Sequence, residues 1–136
     1  VIGVLIVTHG RLGEALVEAC AMLVSGSECL KAVGFGPGEG VEDLDATVRA
    51  ALADMEPNDG VLCLADLPGG SPARVLGGLL LERPQLELVT GVNLPMLAEV
   101  LLLRKELSLS DLVQHAVKCG TDGIVDIGAI LRREAL

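Results

Sequence analysis

His9 stands at the end of an unbroken apolar run, Val1-Ile2-Gly3-Val4-Leu5-Ile6-Val7-Thr8, and Gly10 follows it at once. Asp66 ends a second such run, Val61-Leu62-Cys63-Leu64-Ala65, and leads into Leu67-Pro68-Gly69-Gly70-Ser71-Pro72. When a carboxylate accepts the proton of one imidazole nitrogen, the tautomer is fixed and the other nitrogen keeps a lone pair free to attack. Gly69, Gly70 and Ser71 open a helix, where amides uncrowded by side chains converge and favour an anion. The helix dipole and the Ser71 hydroxyl add to that preference, so phosphoryl oxygens can be held without a metal or a lysine. This chemistry fits phosphoryl transfer to His9, with Asp66 as its orienting partner and Gly69, Gly70 and Ser71 as the phosphate cradle. Each part also has a plainer meaning. A histidine at a strand end is often a surface residue, Asp66 can close an Asx turn, and Gly-Gly-Ser-Pro can be a strand-to-helix connection with a serine N-cap.

Convergence of these residues requires particular elements. The two apolar runs read as strands buried on both faces, as in a parallel sheet. Leu12, Leu16, Ala19, Cys20 and Leu23 recur at helical spacing through about Val24. Leu30 to Phe35 is a second strand, followed by a helix from about Val41 to Met55 and a turn at Asn58-Asp59-Gly60. After the third strand, Pro72 marks the first position of a helix reaching about Arg83. Leu86 to Val92 is a fourth strand, and Asn93-Leu94-Pro95 opens a helix that turns Met96, Leu97, Val100, Leu101 and Leu103 inward. A further helix covers roughly Ser110 to Cys119, with His115 off its apolar stripe and facing solvent. Ile124-Val125-Asp126-Ile127 is expected as a short terminal strand, and Arg132, Arg133 and Glu134 as part of a polar helical tail. Strands alternating with helices specify a single α/β domain over residues 1–136 with a four-stranded, mostly parallel sheet. In such sheets ligands bind beyond the carboxyl ends of the strands, where strand order reverses. Thr8, His9, Asp66, Ser71 and Asn93 all fall at those ends. If strands one and three are neighbours, His9 and Asp66 emerge side by side.

Composition narrows the alternatives. The net charge is −9 and Phe35 is the only aromatic residue, which removes both the cationic surface and the stacking platforms that nucleic-acid binding uses. Cys20, Cys29, Cys63 and Cys119 form no C-x-x-C pair and there are two histidines, so no metal motif is recognised. Half the residues are hydrophobic, at 51%, which supplies an aliphatic core without disulfide staples. No apolar run approaches the roughly 20 residues needed to cross a bilayer, and no secretory leader is visible. The expectation is a soluble, cytoplasmic protein without direct membrane insertion. Gly34-Phe35-Gly36-Pro37-Gly38 does not complete a dinucleotide or P-loop pattern. Gly69-Gly70-Ser71-Pro72-Ala73 superficially resembles a nucleophile elbow, but in that hydrolase class the histidine follows the serine, so a serine hydrolase using Ser71 is a weak second reading.

Val7-Thr8-His9-Gly10, Pro37-Gly38-Glu39, Asp66 to Pro72 and Gly91-Val92-Asn93-Leu94-Pro95-Met96 together resemble the mannose-family IIA domains of bacterial phosphotransferase systems, over nearly the whole chain. The resemblance implies that His9 accepts a phosphoryl group from the phosphocarrier HPr and donates it to a IIB domain, with membrane IIC and IID components served indirectly. It implies no cofactor, and a homodimer in which Ile124 to Ile127 is an antiparallel strand exchanged between subunits. Arg11 and Pro68 stand where some relatives carry tryptophan, and with Leu67 and Leu94 they mark the surface offered to partners. A phosphocarrier of a dihydroxyacetone kinase system resembles the chain less, since it lacks the Gly-Gly-Ser-Pro and Val-Asn-Leu-Pro segments.

Overall fold

β1 (Gly3–His9) is buried at every residue before His9, because side chains on both of its faces meet a layer of helices. The computed structural model describes residues 1–55 and 59–135. β1 lies between β2 (Leu30–Phe35) and β3 (Val61–Ala65), and β4 (Leu86–Thr90) completes a four-stranded sheet of order β2-β1-β3-β4. All pairs are parallel, with His9 opposite Phe35 and Val7 opposite Ala65. Chain order therefore reverses at β1, which is the switch point the sequence required. Alternation along β1 divides the core. Leu5 and Val7 pack with α2 (Val41–Met55) and α3 (Ser71–Glu82), whereas Val4 and Ile6 pack on the opposite face with α1 (Leu12–Cys20), α4 (Leu94–Leu103) and α5 (Leu109–Asp122). Burying each such aliphatic side chain stabilises the fold by about 2 kcal/mol.

Local chemistry sets the boundaries. Thr8 is fully buried and its Oγ1 accepts the Gly13 N–H at 2.8 Å, which starts α1 and gives Thr8 a structural role. Gly91, at φ +79°, ends β4 two residues earlier than expected, and its N–H turns to the Asp66 carbonyl at 3.1 Å. Pro72 is the second residue of α3, one place later than expected, because Gly70 and not Ser71 is the N-cap. Of the expected turn at 58–60, Asn58 lies outside the described residues, and Gly60 takes φ +91°.

The terminal strand is not formed in the single chain. Ile127 opens a helix, α6 (Ile127–Ala135), whose start is fixed by Asp126 Oδ1 accepting the Ala129 N–H at 2.9 Å. Four residues of mostly apolar character do not distinguish strand from helix, and an aspartate able to cap decides between them here. Among the described residues no helix is long and apolar enough to cross a membrane.

At the amino ends of the strands, Arg104 is buried and its guanidinium donates to the Ile2, Cys29 and Glu28 carbonyls at 3.2, 3.3 and 2.6 Å. One planar cation thereby joins the end of α4 to the loop before β2 and to the start of β1. Burial depresses its pKa, although arginine remains charged. Replacing it leaves three carbonyls short of a donor. Arg104→Met is expected to lower stability by about 3 kcal/mol in chemical denaturation while sparing the chemistry at the opposite edge of the sheet. A loss below about 1 kcal/mol would show that water replaces the guanidinium there.

Candidate functional site

His9 is the last residue of β1, and the neighbouring strand β3 delivers Asp66 directly after its own last residue. Their meeting is tight. Asp66 Oδ2 accepts both the His9 backbone N–H and the His9 Nδ1–H, each at 2.9 Å, while Oδ1 accepts the Leu67 N–H at 2.9 Å. An ionised carboxylate can only accept, so Nδ1 carries the proton and Nε2 holds the free lone pair. Burial alone would raise the Asp66 pKa, but the bonds from His9 and Leu67 outweigh it and hold the carboxyl below its usual range. The two side chains differ in access, with 45% of His9 exposed against 12% of Asp66.

The Nε2 edge of the ring faces the start of α3. A Cβ placed on Gly70 would stand 2.6 Å from His9 Cε1 and 3.2 Å from Nε2, so only glycine admits the imidazole this close. Gly70 is extended at φ −83°, ψ 173° and supplies no side-chain cap, which leaves the first amides of α3 directed outward beside the ring. Ser71 is the first residue of the helix, and Gly69 is exposed in the loop before it. The sequence-predicted His9, Asp66 and Gly70 are thus brought into contact, with Gly69 and Ser71 on either side of Gly70.

Phe35 also stands beside His9, a neighbour that no motif marks. Paired with His9 across β1 and β2, it meets the imidazole edge-on, with ring centroids 6.2 Å apart and planes at 72°. Its signal in the sequence was its solitude as the one aromatic, but only the strand register shows where it points. Behind it, a side chain at Gly34 would run into the Gly10 carbonyl, and Gly10 itself takes φ +56°. Glu39 Oε1 accepts the Gly36 N–H at 3.1 Å and shapes the following loop. Arg11 is 83% exposed and pairs with Glu14 at 3.3 Å, beside a shallow cavity of about 280 Å³ lined by Gly10, Gly34 and Pro37. Leu67 and Pro68 are exposed, whereas Leu94 is half-buried against the core. Asn93 does not join the site: it accepts the Met96 N–H at 2.9 Å and donates to the Gly120 carbonyl at 3.0 Å. His115 is exposed on α5, as its place off the apolar stripe predicted. A larger cavity, about 570 Å³, lies at the amino ends of the strands around Val1, Asp59 and Arg104. The imidazole, nearly half exposed, lies at the surface at the opposite ends of the strands.

The family model described as PTS system fructose IIA component, EIIA-man, matches residues 3–117. The chain belongs to this family. Among its relatives, the PTS system mannose-specific EIIAB component of Escherichia coli (strain K12) is 36% identical over 124 residues, covering 90% of this chain and 38% of the relative. The chain thus spans well under half the length of that relative. The PTS system fructose-specific EIIA component of Bacillus subtilis (strain 168) is 38% identical over 114 residues, covering 84% of this chain and 78% of the relative. The crystal structure of phosphotransferase system component EIIA from Streptococcus agalactiae superimposes with a TM-score of 0.86 at 26% identity, covering 95% of this chain and 99% of that one. This EIIA-man chain shares with it the order of strands and helices that places His9 beside Asp66.

The depressed Asp66 pKa carries a stability consequence. A carboxyl whose folded pKa lies below its unfolded value, about 3.9, contributes stability that is present above that value and lost as pH falls through the folded one. The stability gap between wild type and Asp66→Asn, measured by denaturation across the acid range, is expected to be widest above about pH 4 and to shrink below it. A gap constant with pH would show that the carboxylate's bonds to His9 and Leu67 do not favour its charged form.

Proposed function

We propose that this chain is a phosphocarrier whose His9 accepts a phosphoryl group from phospho-HPr and passes it to a IIB domain during sugar uptake. The observation that carries the reading is the 2.9 Å bond from His9 Nδ1 to Asp66, which leaves Nε2 as the nucleophile beside Gly70. The Nε2 lone pair forms the new P–N bond as the bond between phosphorus and the donor imidazole breaks, in line, and positive charge grows on the His9 ring. Asp66 stabilises that charge through Nδ1–H, and the Gly70 to Ser71 start of α3 faces the phosphoryl oxygens. The electron pair of the broken bond stays on the donor imidazole nitrogen, which leaves as a neutral ring. On donation the P–N bond breaks and the neutral ring is restored. No cofactor enters either step.

The open setting supports serial use by two protein partners, with Arg11, Leu67, Pro68 and Leu94 as the surface they meet. Membership of a family with mannose, fructose and sorbose relatives favours a sugar system over a dihydroxyacetone kinase system or a serine hydrolase. Cytoplasmic location and homodimer formation belong to the same proposal. Ile124, Val125, Ile127 and Leu131 are exposed at the carboxyl end, and a second copy covering them accounts for apolar side chains left in water.

Incubation with phosphoenolpyruvate, enzyme I and HPr, followed by intact-mass analysis, is expected to add one phosphoryl group to wild type and to His115→Ala, and none to His9→Ala. Modification that persists in His9→Ala would end the proposal. Ser71→Ala is expected still to accept the group, which a hydrolase nucleophile would not explain. Asp66→Asn removes the charge partner and is expected to slow acceptance on the order of 10²-fold. Gly70→Ala, by pushing the ring off Asp66, is expected to slow it while leaving the far-ultraviolet circular dichroism unchanged.

A further inference from the structure

Glu99, His115 and Cys119 each offer one donor atom, and the three atoms all lie within 4.8 Å of one another. Glu99 comes from α4 and the others from α5, where a spacing of four residues sets His115 and Cys119 on one face, a turn apart. Gly120 in α5 and Gly123 at its C-cap permit the meeting. A Cβ at Gly120 would stand 2.7 Å from Met96 Cε, and one at Gly123 would stand 2.6 Å from Pro95 Cγ, so α5 approaches α4 more closely than larger residues allow. Asn93 holds the same pair together by capping α4 and donating to the Gly120 carbonyl. The donors are therefore mounted on two packed helices and not on loops.

We propose that Glu99, His115 and Cys119 form a site for a zinc-like divalent transition-metal ion, with carboxylate, imidazole and thiolate as protein ligands and water in the fourth position. The donor set selects the ion, because thiolate and imidazole suit zinc and its neighbours whereas magnesium and calcium demand oxygen. With Zn–S about 2.3 Å and Zn–N about 2.0 Å, tetrahedral ligands stand roughly 3.5 Å apart. The donors therefore need to close by at most about 1.3 Å from their 4.8 Å limit, a movement the exposed His115 side chain can supply. Of the other thiols, Cys20 and Cys63 are buried, and Cys29 donates to the Met55 carbonyl at 3.4 Å. As the metal–sulfur bond forms, the Cys119 S–H proton passes to solvent, and no electron is transferred. Motif reading missed the cluster because its third member comes from a different helix.

Titration of the full chain with Co²⁺, a spectroscopic substitute for Zn²⁺, tests the site. Expected is one equivalent per chain, a thiolate-to-cobalt charge-transfer band with tetrahedral d–d intensity, and displacement of both by Zn²⁺. Cys119→Ser is expected to abolish the band, Cys29→Ser to retain it, and Glu99→Gln and His115→Ala each to weaken Co²⁺ binding at least about tenfold. Circular dichroism of each variant establishes that it is folded. No charge-transfer band in wild type, or a band that survives Cys119→Ser, overturns the proposal, as does undiminished affinity in both Glu99→Gln and His115→Ala. Phosphoryl acceptance at His9 is measured on the same proteins and is expected to be intact in Cys119→Ser, so the two proposals fail independently.

Discussion

One carboxylate governs the geometry of the site. Asp66 binds the main chain and the ring of the same histidine through a single oxygen, and its other oxygen holds the next turn of its own loop. Its carbonyl meanwhile accepts the Gly91 N–H, so the ends of β1, β3 and β4 are joined at one residue. Without that clamp, β1 would still end at the same place, but the imidazole would be free to rotate and either nitrogen could carry the proton. With it, the lone pair on Nε2 has one direction. Little reorganisation is then left for the moment of reaction.

Access and desolvation are divided between the two residues. His9, the proposed nucleophile, is nearly half exposed, whereas the carboxylate behind it is mostly covered. The proposed transfer between protein partners needs an approachable nitrogen, which a deep cleft would deny. Stabilisation of the charged ring needs the reverse, since an exposed ion pair is worth little in water. Placing Asp66 in the notch between strands and His9 on the rim satisfies both demands. Phe35 adds a wall on one side of the ring at no cost in charge, and the missing side chain of Gly70 opens the other.

Much of this was legible because parallel strands are buried on both faces and so appear as uninterrupted apolar runs. β2, β3 and α2 fall where the apolar pattern placed them, and the polar residues ending β1 and β3 met as a switch point requires. What could not be read depended on register or on distant partners. Phe35 acquires its role only when β2 slides to put it opposite His9. Arg104 follows a leucine run and looks like the solvated end of a helix, yet its partners are carbonyls of β1 and the loop before β2. Ile124 to Ile127 has a strand's composition, but Asp126 supplies a helix cap, and the described sheet is made of β1 to β4.

The position of Asn93 separates the His9–Asp66 edge from the helix pair beyond it. It follows β4 at the same end of the sheet as His9, and motif reading grouped it with the polar residues there. Both ends of its amide are nevertheless committed to α4 and α5, which makes it a bracket and not a ligand. The His9–Asp66 pair rests on strand ends beside the start of α3, while the Glu99, His115 and Cys119 cluster rests on the α4–α5 contact that Asn93, Gly120 and Gly123 maintain. Asn93 follows β4 and Asp66 follows β3, so the bonds that orient His9 are made at strand ends and not within the outer helices. A change that reshapes α4 against α5 also meets Val4 and Ile6 of β1, which pack on those helices, while the β3–β4 ladder together with the Gly91 bond to Asp66 holds the strand ends in place.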